Sequence, residues 1–164
     1  MRRFPLASIQ IRPARAEDYD DLCSLFDEVD SLHRTSLPCL FCKPPGTVRE
    51  RGYVLSLMAD PNVLLVVADV GGRLAGLAHV LVRDNPYLPV FAPRRYAIID
   101  SIIVTEAVRR QGVGQLLADE VDSWAKAQGA TSIELNVYEF NQAAMQFYAA
   151  LGYTTQSRRL SKPL

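Results

Sequence analysis

The spacing of apolar residues predicts that the chain begins with a strand and a helix. Residues 9–12 alternate between apolar and polar side chains, which is typical of a half-buried strand. Apolar side chains then recur every three or four positions up to residue 29, as they do on one face of a helix. Prolines interrupt regular structure over residues 33–46, and a second helix is predicted over residues 48–58. An irregular segment of this kind often shapes the mouth of a substrate site.

The middle of the chain predicts a hairpin followed by a central strand. Residues 62–69 are rich in β-branched side chains, Gly71 and Gly72 provide a turn, and residues 74–82 are apolar again. A loop rich in proline and arginine leads to residues 96–104, a nearly continuous apolar run of the kind found in a central strand. This strand leads into the segment where we expect the chemistry.

The next part of the chain predicts a helix, a strand and a second helix. Apolar residues at helical spacing over 116–124 form one face, and Gly129 provides a C-terminal stop. Residues 132–138 are predicted as a strand. Asn141 is a good N-cap for a helix that ends at Gly152.

The final segment predicts a more polar strand. Residues 153–161 carry Arg158 and Arg159, as an edge strand or a strand at a dimer interface does. A length of 164 residues with an ordinary apolar fraction fits a single domain, which we assign to residues 1–164. A homodimer is a further expectation.

Residues 109–114, Arg-Arg-Gln-Gly-Val-Gly, join the predicted central strand to the next helix. Free amide N–H groups and the helix dipole make such a turn a site for anions. The amides available here belong to Gln111, Gly112, Val113, Gly114 and Gln115. Glycine at positions 112 and 114 lets the backbone approach a phosphate, and Arg109 and Arg110 add positive charge at the rim. A purely structural turn remains an alternative from this pattern alone.

Two other nucleotide-binding motifs do not fit the same turn. A P-loop requires Lys and then Ser or Thr after the second glycine, and Gln115 and Leu116 stand there instead. A dinucleotide-binding turn requires a third glycine, where Leu117 stands. Neither interpretation is favoured.

The wider pattern resembles the GNAT superfamily of acetyl-CoA-dependent N-acetyltransferases. Residues 109–114 match the family's Arg/Gln-x-x-Gly-x-Gly/Ala motif, which binds the pyrophosphate of coenzyme A. Residues 98–104 resemble the family's fourth strand, and residues 139–153 resemble its Asn-x-x-Ala-x-x-Phe-Tyr-x-x-x-Gly-Phe segment in order and spacing. The close resemblance covers residues 96–164, whereas the upstream part agrees more loosely in its order of elements.

The resemblance implies an α/β (α+β) fold with a mixed, mostly antiparallel central sheet, flanked by helices and splayed between its fourth and fifth strands. The pantetheine arm of the coenzyme would lie in this gap and pair with backbone groups of Ile102, Ile103 and Val104. The pyrophosphate would lie on the glycine turn. Asn141 is expected either to cap its helix only, the commoner role of asparagine there, or also to contact the coenzyme.

Acetyl transfer also needs a group that donates a proton to the departing thiolate. The resemblance implies that Tyr148 is this donor and that it lies near the coenzyme. An aromatic residue on an apolar helix face equally fits a packing role.

The amine must lose a proton before it attacks, so a base is needed. Strand alternation places Ile98, Asp100 and Ile102 on one face of the fourth predicted strand. Glu134 shares a face of the fifth predicted strand with Asn136 and Tyr138. Asp100 and Glu134 are therefore the acidic candidates, acting through a water, unless they are only solvated or salt-bridged strand residues.

Three further polar residues bear on the acceptor. Asn136 stands where the resembling ribosomal-protein and protein N-terminal acetyltransferases commonly carry Glu, which counts against a protein N-terminus as acceptor. His33, at the end of the first helix, is the candidate substrate-binding residue, with an ordinary surface histidine as the alternative. His79, in an apolar strand, is predicted to be structural.

The composition of the chain excludes some classes of binding partner. The 18 basic residues are balanced by 18 acidic ones, so no field of one sign attracts nucleic acid or an anionic membrane surface. The basic start at residues 1–5 is not followed by an apolar run that fits a signal peptide or a membrane span. Cys39 and Cys42 form the only close pair among three cysteines, which predicts reduced thiols, no metal site and a cytoplasmic protein.

The sequence thus predicts an N-acetyltransferase that moves an acetyl group from acetyl-CoA directly to a primary amine. The acceptor would be a small molecule, an amino acid, a polyamine or a peptide. The rival hypothesis is an inactive regulatory module that binds CoA or acetyl-CoA.

Overall fold

A computed structural model of the protein describes residues 9–162, so the basic segment at residues 1–5 lies outside the described residues. The strands are β1 (Ile9–Pro13), β2 (Val63–Val70), β3 (Arg73–Asp84), β4 (Arg95–Val104) and β5 (Ile133–Leu135). The helices are α1 (Tyr19–Ser36), α2 (Arg51–Ala59), α3 (Val113–Ala127) and α4 (Gln142–Ala150). Short 3-10 turns, Ala16–Asp18 and Glu106–Val108, come before α1 and α3.

The strands form one sheet in the order β1-β2-β3-β4-β5. Neighbouring strands are antiparallel except β4 and β5, which are parallel. The predicted mixed, mostly antiparallel sheet is therefore confirmed. β5 pairs only with residues 97–99 of β4, and the two strands separate beyond that point. This separation is the predicted splay.

Each face of the sheet is covered by a different set of helices. On one side, called the α1 side, the buried residues of α1 and α2 pack on the sheet; these are Leu22, Leu25, Phe26 and Val54, against Leu65, Val67, Leu77 and Ile103. On the other side, the α3 side, the apolar face of α3 packs on the sheet; its buried residues are Val113, Leu117, Val121 and Ala125, against Val66, Ala68, Ala78, Val80, Ala97 and Ile99. The gap where β4 and β5 part therefore opens between two packed layers.

The predicted elements differ from the structure most clearly at three places. The second helix begins at Arg51 rather than at residue 48, because Glu50 has extended backbone angles and acts as its N-cap. The fifth strand ends at Leu135 rather than at residue 138, because the chain leaves the sheet at the splay. Residues 153–161 form no strand, since residues 154–161 are exposed and mostly polar, which leaves them no apolar face to bury.

Candidate functional site

The turn before α3 has the backbone geometry of an anion site. Gly112 adopts a left-handed conformation with φ of 86°, and Arg110 also has a positive φ of 59°. The first bond of the helix is donated by the Leu116 N–H to the Gly112 carbonyl over 3.1 Å. The amides of residues 113–115 precede that bond, so they have no partner within the helix and point along its axis at its positive end. A phosphate fits this arrangement.

Gly114 has a second role that the sequence did not reveal. A Cβ atom at this position would lie 3.2 Å from Cε2 of Phe147 in α4, and 3.8 Å from Cγ2 of Val104. The start of α3 therefore packs closely against α4 and the end of β4. Glycine at this position is therefore needed for packing.

Arg109 joins the turn to β4. Its Nε donates a hydrogen bond to the Val104 carbonyl over 2.9 Å, and its Nη2 lies 4.0 Å from Oε2 of Glu28 in α1. An open groove runs between α1 and this segment, lined by Glu28, Ser31 and Thr35 on one side and by Thr105, Glu106 and Arg109 on the other. The groove therefore lies between α1 and the segment that leads from β4 to the glycine turn.

The C-terminal half of β4 has one open edge. Ile102, Ile103 and Val104 pair with β3 on one side, whereas β5 pairs no further along β4 than Ile99. Backbone groups of residues 100–104 that point toward β5 therefore have no strand partner among the described residues. An extended ligand with amide groups can bind this edge as an added strand.

Asp100 lies in a β-bulge at the beginning of the splay. His79 is opposite Ser101 and Val80 is opposite Ile99, so Asp100 is an extra residue without a partner in β3. The Asp100 carboxylate bonds to His79 Nδ1 at 3.1 Å, and the hydrogen bond from His79 is the main cause that lowers the pKa of Asp100.

The predicted sharing of one strand face by Asp100 and Ile102 is wrong. Ile102 packs with the cluster on the α3 side, whereas Asp100 bonds to His79, whose strand partner Leu65 belongs to the α1 side. The reason is the bulge, which inserts one residue and shifts the alternation of all later side chains in β4.

Glu134 lies where β4 and β5 are still paired, opposite Ile98. Arg94 binds its carboxylate, and the same guanidinium lies over the ring of Tyr96 at 4.4 Å. The predicted face shared by Glu134 with Asn136 and Tyr138 does not exist, because β5 ends at Leu135. The structure thus places Glu134 outside the splayed part of the sheet and engages it in an ion pair.

Tyr148 packs from α4 on the cluster of the α3 side. The rings of Phe147 and Tyr153 lie 5.2 and 5.5 Å from its ring. Burial, aided by the nearby Tyr153, raises the pKa of Tyr148 to about 12, so the phenol is protonated at neutral pH. Asn141 caps α4, since its side-chain oxygen accepts a hydrogen bond from the Ala144 N–H over 3.1 Å.

His33 belongs to a group of four rings that we call the mouth cluster: His33, Phe41, Tyr138 and Phe140. The His33 ring lies between 5.1 and 5.7 Å from each of the other three, and Tyr138 stacks on Phe140 at 5.9 Å. Its Nδ1 lies 2.8 Å from the Val29 carbonyl, which only accepts, so Nδ1 carries the proton. The mouth cluster connects the proline-rich segment after α1 with the segment that leaves β5 at the splay.

The remaining candidate chemistry is limited. Cys39 and Cys42 are free and exposed, and Cys23 is partly buried. Within residues 9–162, no three His, Cys, Asp or Glu side chains come together as a metal site would require. In that same part of the chain, no helix is both long and apolar enough to cross a bilayer.

Two structural features near this site were not predicted from the sequence. His79 reads as an apolar-strand histidine, and its bond to Asp100 depends on a strand pairing that the sequence does not disclose. Gly76 reads as an ordinary glycine, yet a Cβ there would lie 2.5 Å from the Ile103 carbonyl oxygen. A glycine inside an apolar strand is a general signal of close backbone approach, and this signal was present.

Comparison with known proteins adds independent findings. The family model of the Acetyltransferase (GNAT) family matches residues 26–153, which is most of the chain. An aminoglycoside N(6')-acetyltransferase type 1 from Klebsiella aerogenes is 27 % identical over 154 residues, which cover 90 % of this chain and 99 % of the relative.

Solved structures resemble this fold closely. The BH1408 protein from Bacillus halodurans, solved as a tetramutant, is 26 % identical and has a TM-score of 0.88 over 94 % of this chain and 99 % of that chain. The aminoglycoside N-acetyltransferase AAC(6')-Iy, solved in complex with CoA, is 15 % identical and has a TM-score of 0.71 over 94 % of this chain and 98 % of that one. The second likeness shows the fold alone.

Proposed function

Since this chain belongs to the GNAT family of acetyltransferases, we propose that it moves an acetyl group from acetyl-CoA directly to a primary amine of a small molecule. One observation carries the proposal: the glycine turn before α3 lies beside the open edge of β4, with Asp100 at the start of that edge. An anion site, an extended-ligand site and a carboxylate are thus aligned along one strand.

The coenzyme would use the first two of these features. The amides of residues 111–115 would bind its pyrophosphate, and Arg109 and Arg110 would add positive charge at the rim. Backbone groups of Ile102, Ile103 and Val104 would pair with the pantetheine arm. Asn141 uses its side-chain oxygen to cap α4, so its amide nitrogen is the part that can contact the coenzyme.

The chemical step needs a group that accepts a proton from the amine. An alkylamine has a pKa of about 10 and arrives as an ammonium ion. Asp100 takes one proton, directly or through a water, which leaves a lone pair on nitrogen. We favour Asp100 over Glu134 as this base because its carboxylate lies at the splay, whereas Arg94 binds that of Glu134 away from it.

The bonds then exchange in one direct transfer. The nitrogen lone pair forms the C–N bond to the acetyl carbon, the C–S bond breaks, and its electron pair stays on sulfur. Tyr148 donates a proton to that sulfur, and the second proton of the nitrogen restores the phenol as the amide forms. Asp100 finally releases its proton to water, so the products are the amide, the free thiol of the coenzyme and one proton.

The high pKa of Tyr148, about 12, suits this role. The phenol keeps its proton at neutral pH until negative charge develops on sulfur beside it. A free thiol has a pKa of about 8.5, so full transfer is uphill until the amide nitrogen gives up its own proton. Tyr148 is therefore expected to act first as a hydrogen-bond donor to the departing sulfur.

An aminoglycoside is the acceptor class that we favour. The relative that covers nearly the whole chain is an aminoglycoside N(6')-acetyltransferase. A polycationic amino sugar fits a groove that carries the carboxylates of Glu28 and Glu106. The exposed ring of Tyr138 in the mouth cluster offers an apolar surface on which a sugar ring can pack, and His33 beside it remains our candidate substrate-binding residue.

An acceptor screen tests the proposal. The purified protein would be mixed with acetyl-CoA and, separately, with the aminoglycoside sisomicin, spermidine, free lysine and a lysine-containing peptide, and thiol release would be followed. We expect turnover with sisomicin to exceed that with the other amines. Acetyl-CoA binding without turnover of any amine would instead support a regulatory module, and absence of binding would overturn both. The proposal places the activity in the cytoplasm, where Cys39 and Cys42 stay reduced.

A further inference from the structure

His79 is a buried polar side chain whose two ring nitrogens have different surroundings. It is only 4 % exposed and is the one polar residue in the buried core of residues 9–162. Its Nδ1 bonds to Asp100, while its Nε2 is buried and has no hydrogen-bond partner among the described residues. Burying a polar ring costs free energy unless its atoms are hydrogen-bonded. A polar side chain buried at this cost indicates a functional role.

The other partner of this bond is exposed to solvent. The side chain of Asp100 is 54 % exposed, in contrast to 6 % for that of His79. His79 Nδ1 lies 3.1 Å from Oδ2 of Asp100, and the Ser101 hydroxyl donates to the same oxygen over 3.3 Å. Both bonds use Oδ2, so they leave Oδ1 for a ligand. One carboxylate oxygen is therefore held by two hydrogen bonds, and the other remains available to a ligand.

The chemistry of the pair fixes the tautomer of the ring. An ionised carboxylate only accepts hydrogen bonds, so Nδ1 of His79 carries the proton that it donates. Nε2 is enclosed and has no described partner to which it can pass a proton. His79 therefore cannot serve as a relay to solvent, and its contribution is confined to the position and the charge of Asp100.

We propose that His79 is a positioning residue for the acetyl transfer: it holds Oδ2 of Asp100 in the bulge so that Oδ1 faces the acceptor amine at the splay. The inference rests on the proposed function, because it assigns a partner to the base of that reaction. It replaces the structural role that the sequence predicts for His79.

The groups that face Asp100 determine how its ionisation should respond. The hydrogen bond from His79 in β3 is the largest cause that keeps the pKa of Asp100 below its usual range, and burial opposes it. Attraction to Arg49 and the bond from Ser101 act in the same direction as His79. Arg49 is itself paired with Asp30 of α1 at 2.6 Å and stacked over Phe26 at 4.0 Å. Loss of the His79 donor should therefore raise the pKa of Asp100 and leave the Arg49 contribution in place.

A matched pair of variants separates the hydrogen bond from packing. His79→Asn keeps an N–H donor bonded to Cγ, in the place of Nδ1, whereas His79→Leu has nearly the same shape without a donor. Both lose the same ring atoms, but asparagine buries a polar amide where leucine is apolar, so urea unfolding serves only to show that both variants are folded. Only His79→Leu should lose the bond to Asp100.

The first readout is activity against pH with acetyl-CoA and sisomicin. We expect kcat of His79→Leu to fall by on the order of tenfold, as for one lost hydrogen bond to a charged group, with acetyl-CoA affinity unchanged. The acid limb of its kcat/KM profile should move to higher pH. His79→Asn should recover most of the rate and the original limb. In an Asp100→Asn background, His79→Leu should lower kcat no further, because the two residues act as one unit.

The second readout needs no turnover. Carbon-13 NMR of the Asp100 carboxyl in the free protein would follow its titration in the wild type and in both variants. A rise in the pKa of Asp100 in His79→Leu but not in His79→Asn is the expected result. Equal titration in all three proteins, or an equal loss of kcat in both variants, would overturn the role of His79. Inactivity of the wild type on every amine would instead overturn the proposed function.

Discussion

Replacing Gly114 by alanine separates the packing role of this residue from its role in anion binding. A new Cβ atom would lie 3.2 Å from Cε2 and 3.3 Å from Cζ of Phe147, so the ring has to yield by a few tenths of an ångström. Overpacking of this kind costs about 1–3 kcal/mol. Alanine in place of glycine in a helix gains at most about 1 kcal/mol. We expect Gly114→Ala to lower the free energy of unfolding by about 1 kcal/mol.

Urea unfolding of Gly114→Ala, Phe147→Leu and the double variant measures this contact. Leucine removes the ring atoms that the new Cβ would meet. The double variant should therefore be about 1 kcal/mol more stable than the sum of the two single changes predicts. Strict additivity of the two changes would refute the reasoning.

The same variants test the turn as a ligand site. The matching motif admits alanine at this position, so calorimetry should find the acetyl-CoA affinity of Gly114→Ala little changed. Gly114→Glu should abolish binding, because a side chain directed at Phe147 would displace the start of α3 and a negative charge beside the helix N-terminus would repel the pyrophosphate. An unchanged dissociation constant for Gly114→Glu would show that the pyrophosphate binds elsewhere.

Three further predictions follow from the same contacts. Tyr148→Phe should lower kcat by about 10²-fold or more while the dissociation constant for acetyl-CoA stays near that of the wild type; an unchanged kcat in stopped-flow assays would remove Tyr148 as the proton donor. Gly76→Ala should destabilise the protein by about 3 kcal/mol in urea unfolding, because its Cβ would lie 2.5 Å from the Ile103 carbonyl oxygen. Gly52→Ala in α2, where a Cβ meets no atom within 4 Å, is its control and should not destabilise. The free energy of unfolding should fall as the pH rises from 10 to 12, because the pKa values of Tyr148 and Tyr153 are raised from 10.0 to about 12 in the folded state and the unfolded chain ionises first. Measurements in Tyr148→Phe should show a shallower alkaline fall, and an equal fall would contradict the assignment to this phenol.

The order of elements was predictable because each element carries a local signal. The hairpin follows from two β-rich runs around Gly71 and Gly72, and both glycines have the positive φ that such a turn requires. The start of α3 follows from Gly112, whose left-handed backbone ends the preceding turn. The strand predicted over residues 153–161 is absent, because a mostly polar segment has no apolar face that would fix it against the sheet.

The interior of the site was not predictable from local signals. The mouth cluster brings His33 and Phe41 together with Tyr138 and Phe140, which lie about a hundred positions later in the chain. The bond from His79 to Asp100 likewise depends on the register between β3 and β4. Such contacts follow from tertiary packing, and residue spacing along the chain contains no direct record of them.

In the proposed reaction, the bulge at Asp100 would let one strand face both substrates. Ile99 and Ile102 both pack on the α3 side, although regular alternation would place them on opposite faces. The inserted residue therefore turns Asp100 toward the α1 side and still returns the apolar residues that follow to the α3 side, where Tyr148 packs. Ile99, immediately before the bulge, is also the last residue of β4 that pairs with β5. Because bulges bend a strand and disrupt its ladder, the same irregularity that presents the carboxylate is placed to open the gap beside it. In the proposed reaction, the proton acceptor and the proton donor would then act from opposite faces of the sheet on a thioester held between β4 and β5.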